Sequence, residues 1–191
     1  MSLVIAEIKD GVVYMGADTQ VSSGETKRNF TAEPNLKINR MPGGVLLGEV
    51  GAVRVSNILI NFKEWFAPLE KEPLTKKFLV TKLLPKFYNE LKKRELLRRE
   101  HISGFEGSFL LAQADKLFLI NGNFTVSQVP HFDTIGAGND AAYATYQLMK
   151  DAPVREKMLT SLRLASEYDL SISAPYVFCD TKSLTIELVE E

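Results

Sequence analysis

Three residues near the start of the chain have the types and spacing for chemistry: Ser2, Asp18 and Lys37. Two short apolar runs, residues 4–8 and 12–15, flank Lys9-Asp10-Gly11. An Asp-Gly pair between such runs signals a tight hairpin. Pairing the two runs brings Asp18 back beside the first residues of the chain. If Met1 is removed, Ser2 carries both a hydroxyl and an unblocked α-amine. An α-amine titrates near neutral pH and can act as general base for the hydroxyl of its own residue. The competing reading is an edge hairpin with no chemistry, and these residues alone leave both open.

The rest of the chain must position these groups. Residues 19–33 are polar, contain Ser22-Ser23-Gly24, and are expected to form a surface loop. A strand follows over 36–41 with Lys37 inside it, then a turn at Pro42-Gly43-Gly44. Residues 45–47 form a short buried strand that runs into Gly48-Glu49-Val50-Gly51. Apolar residues at Val55, Ile58, Leu59, Phe62 and Phe66 have helical spacing and predict a helix over about 52–67. A second helix is predicted over about 74–97, kinked at Pro85. Its basic end, Lys92-Lys93-Arg94 and Arg98-Arg99, reads as favourable charge at a helix C-terminus. A nucleic-acid patch would need interleaved aromatic residues, and there are none here. Strands are predicted at 108–114, 117–120, 124–129 and 131–135, helices at about 139–149 and 153–168, and two closing strands at 176–179 and 184–188. Strands, two helices, strands, two helices and strands define an α+β chain. Its stripes are all buried by a four-layer αββα sandwich, two antiparallel sheets stacked face to face with a helix pair outside each.

Composition narrows the classes. The chain has 191 residues, 45% of them apolar and 25% charged, which suits one soluble domain spanning 1–191. A net charge of −1 gives no reason to expect nucleic acid or an anionic membrane as partner. There is no stretch of membrane-span length and no basic-then-apolar leader, so a cytoplasmic protein is expected. The single cysteine, Cys179, sits in an apolar strand and reads as a small core residue. His101 and His131 have no ligand spacing to each other or to Cys179, so no metal and no cofactor is expected. Gly136-Ala137-Gly138-Asn139-Asp140-Ala141 matches the loose G-x-G-x-x-A pattern, but the βαβ context of a dinucleotide site is missing. A tight strand-to-helix turn accounts for it.

An ordered set of motifs is more specific. Gly16-Ala17-Asp18-Thr19, Asn35-Leu36-Lys37-Ile38, Leu47-Gly48-Glu49-Val50-Gly51, Ile135-Gly136-Ala137-Gly138 and Tyr168-Asp169-Leu170-Ser171 follow one another along nearly the whole chain. In this order and spacing the chain resembles the proteasome β-type and HslV-like N-terminal nucleophile hydrolases. The resemblance implies the same αββα sandwich and an amidohydrolase that cleaves peptide bonds through an acyl-enzyme. Ser2 falls where the family carries its N-terminal nucleophile, usually threonine. Asp18 and Lys37 match its paired acid and lysine, Gly48 the glycine whose N–H serves the oxyanion, and Asp169 a further acid near the site. The expected Asp18–Lys37 pair has a physical purpose, since a buried ammonium holds the acid ionised and eases deprotonation of the nucleophile.

Two positions depart from the family pattern besides Ser2 itself: Ala137 stands where a serine is usual, and Glu49 puts a charge beside the expected cleft. They motivate the alternative of a catalytically silent, structural subunit. The resemblance also implies peptide or protein substrates, self-association into a ring, and an ATP-driven unfoldase as a candidate partner. Ala141, Tyr143, Tyr146 and Trp65 fall partly on other helix faces than Phe62, Phe66, Ala142 and Met149. They therefore predict a second, aromatic face suited to an interface in a cyclic or dihedral homo-oligomer.

Overall fold

The computed structural model describes residues 2–99 and 103–190; His101 lies outside them. The opening hairpin forms as the sequence predicts, with β1 (Leu3–Lys9) paired antiparallel to β2 (Val12–Asp18) in the register Val4 opposite Ala17. Asp10 and Gly11 both take positive φ, 51° and 75°. That is the backbone of the tight hairpin turn whose twist matches the strands it joins. The polar segment expected as a loop is instead a second hairpin, β3 (Gln20–Ser23) with β4 (Thr26–Asn29). Every residue of β4 is exposed, so no apolar alternation marks it.

After β5 (Ile38–Met41) and β6 (Val45–Gly51) comes α1 (Val53–Asn61), shorter than predicted. The chain leaves the helix at Phe62 and continues as short 3-10 turns. Two helical pieces follow, α2 (Lys76–Phe78) and α3 (Leu84–Lys93), joined by a widened π turn over Leu79–Leu83 in which Leu84 N–H donates to Leu79 O. Pro85 follows directly, so its missing N–H falls where the helical ladder is already interrupted. The remaining elements are β7 (Arg98–Arg99), β8 (Ser103–Gly104), β9 (Gly107–Gln113), β10 (Lys116–Ile120), β11 (Val126–Gln128), β12 (Phe132–Gly136), α4 (Asn139–Leu148), α5 (Val154–Tyr168), β13 (Tyr176–Asp180) and β14 (Glu187–Val189).

Two five-stranded antiparallel sheets result, ordered β12-β1-β2-β13-β14 and β11-β10-β9-β6-β5. Alternation along the strands decides what fills each layer. Val4, Ala6, Met15 and Ala17 point between the sheets and meet Leu46, Leu110 and Ala112. Leu3 and Ile5 point the other way, onto Ala142, Met158 and Leu162 of α4 and α5. On the opposite side Leu47, Phe109 and Leu111 pack with Ile58 and Leu59 of α1 and Phe87 of α3. This is the expected αββα sandwich. Cys179 is buried in it, and burial with the neighbouring Asp180 pushes its thiol up to about 11, which suits a core residue rather than a nucleophile.

The expected aromatic interface face is corrected by the packing. Trp65 is only 8% exposed and stacks on Phe62 at 4.5 Å, because the chain has left the helix before it and helical spacing no longer sets its direction. Ala141 and Tyr146 are partly buried against the α4–α5 core, Tyr146 stacking on Phe132 at 3.7 Å. Tyr143 alone of the four stays well exposed, at 45%.

Candidate active site

The site is built from the way β1 begins. Because β1 lies between β12 and β2, the residues before it are held from both sides. On the β2 side, Leu3 N–H donates to Asp18 Oδ1 at 2.9 Å. Asp18 Oδ2 accepts from Gln20 N–H at 3.1 Å and from Lys37 Nζ at 2.5 Å. Lys37, expected inside a strand over 36–41, lies just before the observed β5, so this ion pair ties the end of the central strand of one sheet to the edge strand of the other. Asp18 is 0% exposed and Lys37 5%. Burial pushes the Asp18 carboxyl up, against the pull of Lys37 and of the two amide donors. Burial likewise pushes the Lys37 ammonium below the ordinary lysine range, against the pull of Asp18 and Glu49. The buried lysine thus holds its proton less firmly than a solvated one.

On the β12 side, Ala137 N–H donates to Ser2 O at 2.8 Å. Gly136 sits at φ +111°, and a Cβ there would lie 1.9 Å from Ser2 O. The Gly-Ala-Gly turn therefore seats Ser2 by backbone contact alone; this contact does not need the hydroxyl that a serine at position 137 would add. Ser2 is 8% exposed and lines a cleft of ≈ 590 Å³ together with Lys37. One wall comes from Gln20, Val21 and Ser22 of β3, the segment whose strand character the polar sequence conceals. The other wall comes from Glu49, Val50 and Gly51 at the end of β6 and from the start of α1.

Of the residues singled out by sequence, Ser2, Asp18 and Lys37 are thus brought together. Gly48 is placed inside β6, paired with Ile38 on one side and Leu110 on the other. Its neighbours Glu49 and Val50 line the cleft. A Cβ on Gly48 would lie 2.9 Å from Val4 Cγ1, so the close approach of the two sheets requires glycine. Asp169 follows α5, in the loop whose Leu170 O accepts from Gln20 Nε2 at 2.8 Å. Partial burial raises its pKa, but the Ser171 hydroxyl and amide, at 2.5 and 2.9 Å, hold it below the usual carboxylate range. Glu49 behaves oppositely. Burial raises it to about 8, opposed by Lys37. Sequence reading missed Gln20 and the backbone of Gly136 and Ala137; the only signal was the tight glycine turn.

In this αββα sandwich an interior strand, β1, begins beside a cleft lined by Ser2 and by Lys37, the partner of the buried Asp18. The fold is similar to those of several solved structures. It matches Thiobacillus denitrificans BPH at TM-score 0.76 and 20% identity, over 96% of this chain and 98% of that one. It matches Anbu, the ancestral beta-subunit from Yersinia bercovieri, at TM-score 0.72 and 13% identity, over 99% and 87%. HslV from Trypanosoma brucei matches at TM-score 0.64 and 17% identity, over 99% of both chains. No protein-family model and no curated protein matches the sequence. The chain therefore has the fold of these HslV-like, proteasome-type proteins. Among the described residues no helix is long and apolar enough to cross a membrane.

Proposed function

We propose that the chain is an N-terminal nucleophile amidohydrolase that cleaves peptide bonds from Ser2, working in the cytoplasm as one subunit of a ring. The observation that carries the reading is the buried Asp18–Lys37 pair set beside Ser2 in an open cleft. A buried ion pair adds little to stability by itself, so its place at the chain start points to chemistry. Removal of Met1 exposes the Ser2 α-amine. The amine takes the hydroxyl proton as the oxygen attacks the amide carbonyl, and Lys37 favours the developing negative charge. Collapse of the tetrahedral intermediate breaks the C–N bond, with the proton passed to the leaving amine. Water then hydrolyses the acyl-serine. Gly48, one residue before the cleft wall, is the proposed oxyanion donor and Asp169 the proposed outlying acid. A fold neighbour, Thiobacillus denitrificans BPH, is solved in complex with epoxomicin, at TM-score 0.74 and 19% identity.

That compound supplies the test. Intact mass is expected to show loss of Met1, and epoxomicin to label Ser2 stoichiometrically and Ser2→Ala not at all. A chain that has lost Met1 and still takes no label is the silent subunit instead. Assembly has its own measurement. Light scattering at micromolar concentration is expected to give a multiple of 21.4 kDa, and a mass that stays at 21.4 kDa as concentration rises rejects the ring. The candidate ATP-driven unfoldase belongs to the same reading, as a partner docking on such a ring.

A further inference from the structure

The walls of the cleft carry two polar atoms that no hydrogen bond satisfies among the described residues: Glu49 Oε2 and Gln20 Oε1, both buried. Both are acceptors. Gln20 spends its side-chain donors on Ser22 Oγ and Leu170 O, at 2.9 and 2.8 Å, and its backbone N–H on Asp18, which leaves its amide oxygen over. Glu49 is part-exposed as a residue, yet its Oε2 is shut away from solvent at the cleft wall. An orphaned buried carboxylate is costly, and since both residues line one cleft, a ligand that brings donors would relieve both acceptors.

We propose that the cleft recognises its peptide by a cationic side chain, lysine or arginine, seated on the Glu49 carboxylate with the Gln20 amide oxygen beside it. The peptide identity of the ligand rests on the amidohydrolase reading; the charge preference rests on the walls alone. The charges that face Glu49 support it. Lys37, the cation nearest in effect, is already bonded to Asp18. Glu106, also lining the cleft, adds a second acidic group and pairs with Arg98 at 2.8 Å. Opposite Glu49 on β9 stands Phe109, which is uncharged, and Arg54 on α1 is exposed and lines a different hollow. The α-amine of residue 2, which lines the same cleft once Met1 is removed, is mostly uncharged at about pH 8.5, so a peptide ammonium there meets no other uncompensated positive charge among these groups. Because burial raises the Glu49 carboxyl to about 8, seating a cation on it is expected to release a proton.

The test reads binding separately from hydrolysis. Fluorescein-labelled hexapeptides carrying lysine, or its uncharged isostere norleucine, at each position in turn are titrated against the Ser2→Ala chain, followed by anisotropy. At one position the lysine peptide is expected to bind about 10- to 100-fold tighter than its norleucine twin at about pH 8.5, the gain of a charge-assisted hydrogen bond. That preference is expected to fall toward parity at about pH 6.5, where the carboxyl takes back its proton while the peptide ammonium stays charged. Glu49→Gln is expected to abolish the preference, and Glu49→Lys to move it to a glutamate peptide. Equal binding of the twins at every position, a preference that survives Glu49→Gln, or no saturable binding overturns the proposal. Cationic preference in a chain that hydrolyses no peptide upholds this inference and rejects the amidohydrolase reading. Hydrolysis by the Ser2 chain without charge preference does the reverse.

Discussion

Lys37→Met is expected to lower the unfolding free energy by about 3–5 kcal/mol and to abolish peptide hydrolysis. The substitution keeps the length and apolar stem of the side chain but removes the ammonium 2.5 Å from Asp18. Asp18 is fully buried and would retain only the Leu3 and Gln20 amides as partners. A carboxylate left so is far less stable than a paired one, and the fold must either protonate it or open to water. Denaturant unfolding measures the loss. Adding Asp18→Asn to the variant is expected to restore most of the stability, since the amide oxygen still accepts from Leu3 and no charge is stranded. Activity is expected to stay absent in the double variant. A loss below about 1 kcal/mol in the single variant, the scale of an exposed pair, shows that Asp18 does not depend on Lys37.

The second large effect is expected at Gly136. An alanine there has two problems. The backbone angle of +111° is one that L side chains rarely adopt, and the new Cβ would lie 1.9 Å from Ser2 O. The backbone strain alone is about 1–3 kcal/mol, or roughly 2–12 °C of melting temperature for a chain of this size. The contact adds to it by pushing Ser2 out of its seat. Gly24→Ala is the control, because Gly24 also has a positive φ, +58°, but nothing lies within 4 Å of its Cβ position. Gly136→Ala is expected to melt well below Gly24→Ala and to lose labelling at Ser2, whereas Gly24→Ala keeps it. Equal melting and equal labelling would show that Gly136 does not hold Ser2.

Much of the sandwich is legible from the chain because its strands alternate cleanly between two apolar layers. Leu3 and Ile5 serve one, Val4 and Ala6 the other, and the Asp-Gly turn sets their register against β2. Legibility fails where burial and periodicity part. Thr26–Asn29 pair with β3 by backbone alone, so their polar sequence looks like a loop. Phe62 and Phe66 fit a helical stripe and Trp65 falls off it, yet 3-10 turns pack all three into one cluster. Glu7 and Lys157 look like surface charges but form a buried pair at 2.6 Å across 150 positions of sequence. The Asp18–Lys37 pair is long-range in the same sense. Composition and spacing named its members only through the resemblance to a family, because no local rule links the end of a hairpin to a residue before another strand. The Gly136 contact with Ser2 was hidden for the same reason.

The position of β1 in its sheet also governs when the site can exist. Its hairpin with β2 is local, but an isolated two-stranded hairpin is marginal in water. The flanking strands come from residues 132–136 and 176–180, the far end of the chain. During synthesis, which releases the N-terminal residues first, Ser2 waits for Ala137 to be made before its carbonyl has a partner. Asp18 waits longer still, until Tyr176 pairs opposite it. The nascent chain therefore carries residue 2 unassembled until residues 132–136 and 176–180 have been made, and the cleft takes shape only then.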